Sequence, residues 1–268
     1  MEMVSTEGAI VLIALYDCAV VSDSFADEPW VQLLVATPTQ LQKQYSKGRN
    51  PRILHFEATI DGQNKGFEVN PRGICQIARE SLLQLDIETN YRVDQANSYD
   101  LKQWLAERYR QDTWPDAFNN ALKDRERRLK RFWARYNDFI SGLYIRLHTS
   151  EELEADKYRI AAIVAIESGK ERALLHQMRD NNKQLREKSI DEIKGHLASE
   201  IIDILGDAVI FEADRTNVFH GKAVEVLGEE QIPIHRLRTF SRFSPYSLSE
   251  FGTEAPPPVE MLPAKTTS

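Results

Sequence analysis

Short apolar runs near the start of the chain indicate buried strands. The stretches Ala9 to Leu15 and Trp30 to Ala36 are continuous and rich in branched residues, which is typical of strands covered on both faces. Further along, residues 52–60 and 67–69 flank the sequence DGQNKG, whose Asp and Gly residues suit a tight hairpin turn. The first third of the chain is therefore predicted to be rich in strands.

Two prolines in the same region are preceded by residues that favour helix starts. Thr37 precedes Pro38 and Asn70 precedes Pro71, so each pair offers an N-cap followed by proline at the first helical position. Apolar residues then recur at helical spacing after Pro71. The pattern predicts a short helix up to about Tyr45 and a second helix over roughly residues 71–85.

Apolar and basic residues alternate with a helical period between Thr113 and Gly142. Successive residues lie about 100° apart around a helix axis, and eight apolar side chains of this segment fall within one sector of roughly 120°. The sequence therefore predicts one long amphipathic helix over residues 115–141, with its aromatic residues in the core. The basic residues on its other face are Arg127, Arg128, Lys130, Arg131 and Arg135.

The pattern changes to strand periodicity after Gly142. Alternating apolar residues up to Leu147 predict one strand, and the apolar run over residues 157–166 predicts a second strand that pairs with it. Ser189 and Glu192 then form a capping-box pattern at the start of another helix. Further strands are expected over residues 208–213, 222–227 and 232–240.

These elements predict an α+β fold with mixed, mainly antiparallel strands at both ends of the chain and a helical middle that includes the long basic helix. We divide the chain into a strand-rich region over residues 1–96 and a helical and α+β region over residues 97–245. The two are compatible with a single domain. Residues 246–268 contain three consecutive prolines and are expected to form a flexible tail.

The charge of the chain limits how it could bind nucleic acid. The net charge is −7 and the sequence pI is about 5.5, which excludes a protein whose whole surface attracts phosphates. Between Lys123 and Arg135, however, seven basic residues stand against two acidic ones. Any phosphate-binding surface must therefore be local.

The cysteine content and the N-terminal sequence bear on the compartment. Cys18 and Cys75 are far apart and have no neighbouring ligands at metal spacing, so neither a disulfide framework nor a zinc site is indicated. The first residues lack the basic segment of a signal peptide, and the first apolar run contains Asp17. We expect a cytoplasmic protein that does not enter the membrane.

The basic face of the predicted helix supports the leading functional hypothesis. A row of guanidinium groups could contact nucleic acid phosphates or an acidic protein surface, whereas a solvated face on a core helix is the alternative. The chain contains none of the common nucleotide-binding or hydrolase motifs, which favours a binding or assembly component without a cofactor. Whether the protein is an enzyme stays open.

Two other hypotheses depend on different parts of the chain. Glu212 and Asp214 share one face of a predicted strand and could hold Mg²⁺ or Mn²⁺ in a metal-dependent nuclease or phosphodiesterase, although the acid-x-lysine unit expected beside them is missing. The proline-rich tail could instead dock a structural subunit into a larger complex.

Overall fold

The computed structural model describes residues 8–14, 24–84, 90–110, 114–153, 157–212 and 222–245. Over these residues the chain has an α+β fold with two five-stranded sheets, which confirms the predicted fold class. The strands are β1 (Ile10–Ile13), β2 (Trp30–Pro38), β3 (Leu54–Ile60), β4 (Gln63–Ala78), β5 (Tyr91–Arg92), β6 (Ile140–Leu147), β7 (Arg159–Ile166), β8 (Ile210–Phe211), β9 (Val224–Gly228) and β10 (Ser241–Phe243). The α-helices are α1 (Gln95–Arg110), α2 (Asp116–Lys123), α3 (Glu126–Tyr136), α4 (Glu171–Asn181), α5 (Ile190–Leu205) and α6 (Ile234–Leu237).

The first sheet is antiparallel and has the order β1-β2-β4-β3-β5. The predicted hairpin joins β3 to β4, with Ile60 opposite Gln63. Asp61 and Gly62 form its turn and have φ angles of 50° and 78°. Two consecutive positive φ angles match the right-handed twist of a two-residue hairpin, which explains the Asp-Gly pair at this point.

The predicted α-helix after Pro71 is wrong, because the residues up to Ala78 belong to the long strand β4 and Arg79–Gln84 form a 3₁₀ helix. Between Val69 and Ile74 the strand bulges away from β2, and Pro71 lies in this bulge, where a missing N–H costs no ladder hydrogen bond. A Cβ atom on Gly73 would lie 2.6 Å from the carbonyl oxygen of Val35, so this close approach requires glycine. The helix predicted after Pro38 is also wrong beyond a short 3₁₀ turn at Lys43–Tyr45.

Helix α1 packs against the first sheet. Its Trp104 is buried with Leu101 among strand residues such as Phe56 and Phe67, and the Trp104 indole N–H donates to the carbonyl oxygen of Asn50. The helix thus shares the core of the strands that precede it. The division between residues 96 and 97 stays a prediction.

The second sheet has β7 at its centre. Strands β10, β6 and β7 are antiparallel, as predicted for β6 and β7, whereas β8 and β9 run parallel to β7. Helices α4 and α5 form the crossover that a parallel connection requires. The strand predicted over residues 232–240 is wrong, because this segment contains the one-turn helix α6 and covers the back of the sheet with Ile232 and Phe240.

The predicted long basic helix is two helices. Helix α2 ends at Lys123, a turn at Asp124 and Arg125 follows, and α3 begins at Glu126. The turn lies where a continuous helix would direct Arg125 towards the apolar side. Helix α3 then ends at Tyr136 because β6 already begins at Ile140, so the helix is shorter at its C-terminal end than the pattern indicated.

A connector between β2 and β3 joins the two sheets. Arg49 is buried, and its guanidinium donates hydrogen bonds to the carbonyl oxygens of Asn137 and Ile140, just after α3. From the other side, Arg242 donates to the carbonyl oxygens of Lys47 and Ser141 at 3.1 and 2.6 Å. The connector is therefore fixed against the C-terminal end of α3.

Candidate phosphate-binding face

The aromatic residues of α3 belong to the core, as the sequence predicts. Phe132, Trp133 and Tyr136 are 2%, 6% and 5% exposed and pack with Leu129 against the second sheet and its helices. None of these rings is available to stack on a nucleic acid base. Any ligand of this helix must therefore be bound by the polar side chains on its opposite face.

Two of the five predicted contact residues are already paired within the protein. Lys130 forms an ion pair with Glu126, one helical turn earlier. Arg135 forms an ion pair with Glu200 of α5, with an N–O distance of 2.7 Å. A ligand at either side chain would have to compete with a carboxylate that the protein provides.

Glu200 also accepts a hydrogen bond from the Tyr136 hydroxyl at 2.9 Å. The pKa of Tyr136 is raised to about 12, mainly by burial. Arg135 acts in the opposite direction, whereas the adjacent Glu200 carboxylate adds to the rise because it disfavours a second negative charge. The pKa of Arg135 is raised as well, first by its hydrogen bond with Tyr136 and also by Glu200. The three side chains form one unit that joins α3 to α5.

Arg127, Arg128 and Arg131 are exposed, and in the described part of the chain none of their guanidinium groups has a carboxylate partner. Arg131 donates to the backbone oxygen of Arg127 at 3.3 Å, its one acceptor among the described residues. Because α-helical residues three and four positions apart are neighbours, the three guanidinium groups share one surface. They form a local cationic patch on an otherwise acidic protein.

A concavity of about 540 Å³ lies beside this patch, at the turn between α2 and α3. Cationic side chains line one part of it, and two carboxylates, Asp124 and Glu126, lie among them. Glu126 is held by Lys130, whereas Asp124 is exposed and has no side-chain partner among the described residues. The cations are Lys123, Arg127, Lys130 and Arg131.

The opposite side of the concavity is formed by Gln44, which comes from the connector between β2 and β3. The Nε2 group of Gln44 donates to the side-chain oxygen of Gln42 at 3.0 Å, which leaves the Gln44 amide oxygen as an acceptor. The neighbouring Lys43 is tied to Asp138, just beyond α3, at 3.0 Å. Gln44 is thereby held opposite the basic helix.

His55 fixes the start of the same connector. Its Nδ1 atom accepts a hydrogen bond from the backbone N–H of Gln42 at 3.1 Å, so the ring proton is on Nε2. Nε2 lies 3.1 Å from Glu68 and donates to that carboxylate. Because both ring nitrogens are engaged and the ring is 3% exposed, His55 positions the backbone and is not available for catalysis.

Among the described residues, no metal site is assembled around Glu212. Its carboxylate lies 3.8 Å from the Arg159 guanidinium, and Asp214 lies outside the described residues. Within the described ranges, no group of three or more His, Cys, Asp or Glu side chains could hold a metal ion. The nuclease hypothesis gains no support from these contacts.

The proline-rich tail over residues 246–268 also lies outside the described residues. Among the helices that the structure describes, none is both long and apolar enough to cross a membrane.

Three side chains around the basic helix could not be predicted as its neighbours. Gln44, Arg49 and Glu200 come from elements far from α3 in sequence, and nothing in their local sequence indicates the contact. Only the packing of the two sheets brings them to the helix.

No protein-family model matches the chain, and neither a curated protein nor a solved structure shows significant similarity to it.

Proposed function

We propose that the protein is a non-catalytic binding component whose helix α3 contacts nucleic acid phosphates through Arg127, Arg128 and Arg131. The observation that supports this most is the contrast within one helix. Its aromatic side chains are buried in the core, while three adjacent guanidinium groups are exposed without a carboxylate partner in the described chain. Lys130 and Arg135 flank them and contribute less, since each is paired.

Phosphate suits this surface because guanidinium groups bind it in a bidentate manner and stay charged at any physiological pH. Such contacts position a nucleic acid without reading its bases. Their strength depends on the release of counterions, so binding should weaken steeply as salt is added. Because the protein as a whole is acidic, salt-dependent binding of phosphates requires that the phosphate contacts are confined to a basic patch.

An acidic protein surface is the other partner class with the same charge. Stable protein interfaces generally have large apolar or aromatic side chains at their centre. Of the large apolar side chains that the described residues expose, none lies on α2 or α3. A surface of charge without apolar anchors favours nucleic acid over a protein partner.

The test compares two variants with the same change in net charge. The first carries Arg127→Glu, Arg128→Glu and Arg131→Glu. The control carries Lys65→Glu, Arg72→Glu and Arg186→Glu, which replace exposed cations on β4 and near α4. Fluorescence anisotropy at low salt would measure affinity for labelled DNA and RNA oligonucleotides and for a polyglutamate peptide of similar charge.

We expect the first variant to lose at least about tenfold in affinity for the oligonucleotides, about 1.4 kcal/mol, while the control changes little. Equal losses in the two variants would mean that net charge alone is responsible and would contradict the proposal. Tighter binding of polyglutamate than of the oligonucleotides would assign the face to an acidic protein instead.

A further inference from the structure

The concavity beside α3 contains groups that phosphate binding does not explain. Its cations are accompanied by the carboxylate of Asp124, which has no partner among the described residues, and by the amide oxygen of Gln44 on the opposite side. Both are hydrogen-bond acceptors, and a carboxylate repels phosphate. A ligand that fits this lining must offer hydrogen-bond donors as well as negative charge.

Nucleic acid bases provide such donors. Cytosine carries an amino group at N4 and adenine one at N6, whereas thymine has an oxygen acceptor at the equivalent position, a methyl group beside it, and its ring N3–H as its only donor. Carboxylates of Asp and Glu accept hydrogen bonds from the cytosine amino group in known modes of base recognition. The mixed lining of the concavity therefore matches a nucleotide strand whose phosphates and amino groups are both accessible.

A double helix does not expose the amino groups of its bases together with its phosphates as a single strand does. The bases of a duplex are reached only by an element that projects into a groove, whereas Asp124 and Gln44 line a concavity between α3 and the connector. A volume of about 540 Å³ lies within the range of small-ligand sites. Unpaired bases can turn out of the strand and enter such a recess.

We infer that the concavity binds single-stranded nucleic acid and prefers bases that carry an amino group, with Asp124 and Gln44 as contact residues. The inference rests on the proposed function, since Arg127 and Arg131 would hold the phosphates of the same strand. Asp124 accepts the amino hydrogen bond from the α2–α3 turn, and Gln44 meets the base from the connector that His55 and Lys43 hold in place. Stacking on the aromatic rings of α3 has no part in it, because these rings are buried.

The experiment compares three labelled ligands of equal length at neutral pH and low salt: oligo-deoxycytidine, oligo-deoxythymidine and a mixed-sequence duplex. The first two have the same ring size and backbone charge. Their bases differ at position 4, where cytosine has an amino group and thymine a carbonyl oxygen, and also at N3 and in the thymine methyl group. We expect oligo-deoxycytidine to bind at least about threefold more tightly than oligo-deoxythymidine, about 0.7 kcal/mol, and the duplex to bind more weakly than either at equal phosphate concentration.

Two variants assign the preference to the named residues. Asp124→Asn replaces the charged acceptor by a neutral amide, so the ratio of the two pyrimidine affinities should fall towards one. The equivalent change at the exposed Asp191 of α5 is its control. Gln44→Glu brings a negative charge to the opposite side and should weaken both single strands several-fold, whereas Gln40→Glu, on a nearby exposed residue outside the concavity, should not.

The experiments distinguish a failure of this inference from a failure of the proposed function. If oligonucleotides bind and the triple change of Arg127, Arg128 and Arg131 abolishes binding, but the two pyrimidine strands and the duplex bind equally in all variants, the proposed function stands and this inference is wrong. If the wild-type chain binds none of the three ligands, the proposed function fails and the inference fails with it.

Discussion

Arginine does two different things in this molecule, and the comparison separates residues that hold the fold from residues available to a ligand. Arg49 and Arg236 are 6% and 3% exposed, and each donates to oxygen atoms of another element. Arg127, Arg128 and Arg131 on α3 are exposed and, within the described ranges, meet no carboxylate. The same side chain is thus structural in the first set and free to bind in the second.

The difference shows that a basic sequence is not itself a binding signal. Arg135 belongs to the same basic segment as Arg131, one helical turn away, yet Glu200 of α5 holds it. The partner, and not the residue type, decides which role a guanidinium group takes. Substitutions in the first set should therefore reduce stability, and substitutions in the second should reduce binding while stability stays nearly constant.

The largest effect is expected for the ion pair between Glu225 of β9 and Arg236 of α6. Both side chains are buried, and two hydrogen bonds of 2.8 and 3.2 Å join them. Arg236→Met removes this partner from a buried carboxylate and should lower the free energy of unfolding by about 3–5 kcal/mol, as measured by urea denaturation. The double change Glu225→Met with Arg236→Met should cost much less. Equal destabilisation of the single and double variants would show that the unpaired carboxylate of Glu225 is not the cause of the stability loss.

A smaller loss is expected at the connector. Arg49→Met leaves the carbonyl oxygens of Asn137 and Ile140 without the guanidinium that joins them to the first sheet, and should cost about 2–3 kcal/mol. Arg72→Met, at an exposed position on β4, is the matched control and should change stability by less than about 0.5 kcal/mol. Similar values for the two variants would show that Arg49 does not hold the connector.

The unit formed by Tyr136, Glu200 and Arg135 should affect stability at alkaline pH. The pKa of Tyr136 is about 12 in the folded chain against an ordinary 10.0, so the folded state keeps the phenol proton longer than the unfolded state. Its contribution is complete below pH 10 and is lost as the pH rises towards 12. Tyr136→Phe should remove that part of the alkaline loss.

The same variant should cost about 1.5 kcal/mol at neutral pH, because the hydrogen bond to the charged Glu200 is lost. Denaturation of both proteins at several pH values between neutrality and pH 12 measures the two effects. An unchanged alkaline slope in Tyr136→Phe would assign that loss to other groups.

Local sequence patterns correctly predicted several elements, because the residues that determine them are close in sequence or recur at a regular spacing. The capping box at α5 is present, with Ser189 and Glu192 each accepting from the backbone of the other. The apolar run of β7 is buried along nearly its whole length because the strand is central and covered on both faces. The apolar stripe of α3 faces the core as its period indicated.

Other features of the fold and of the candidate site depend on contacts between residues that are far apart in the sequence. The segment after Pro71 has helical spacing but pairs with β2, and this pairing outweighs the local preference. The candidate site is similar, since the basic residues could be predicted from their spacing whereas Gln44 and Glu200 could not. No local pattern shows which cations of α3 meet a carboxylate from a distant element, and that is what separates Arg131 from Arg135.

The salt dependence of nucleic acid binding tests most directly whether the exposed arginines of α3, and not the paired Arg135, contact phosphates. Single variants Arg127→Gln, Arg128→Gln, Arg131→Gln and Arg135→Gln would be titrated with a single-stranded oligonucleotide at increasing salt. Each of the first three should reduce the slope of log affinity against log salt by about 0.7, the value for one lost phosphate contact on a single strand. Arg135→Gln should leave the slope nearly unchanged, because Glu200 already neutralises that charge. Equal slopes for all four variants and the wild-type chain would contradict the account.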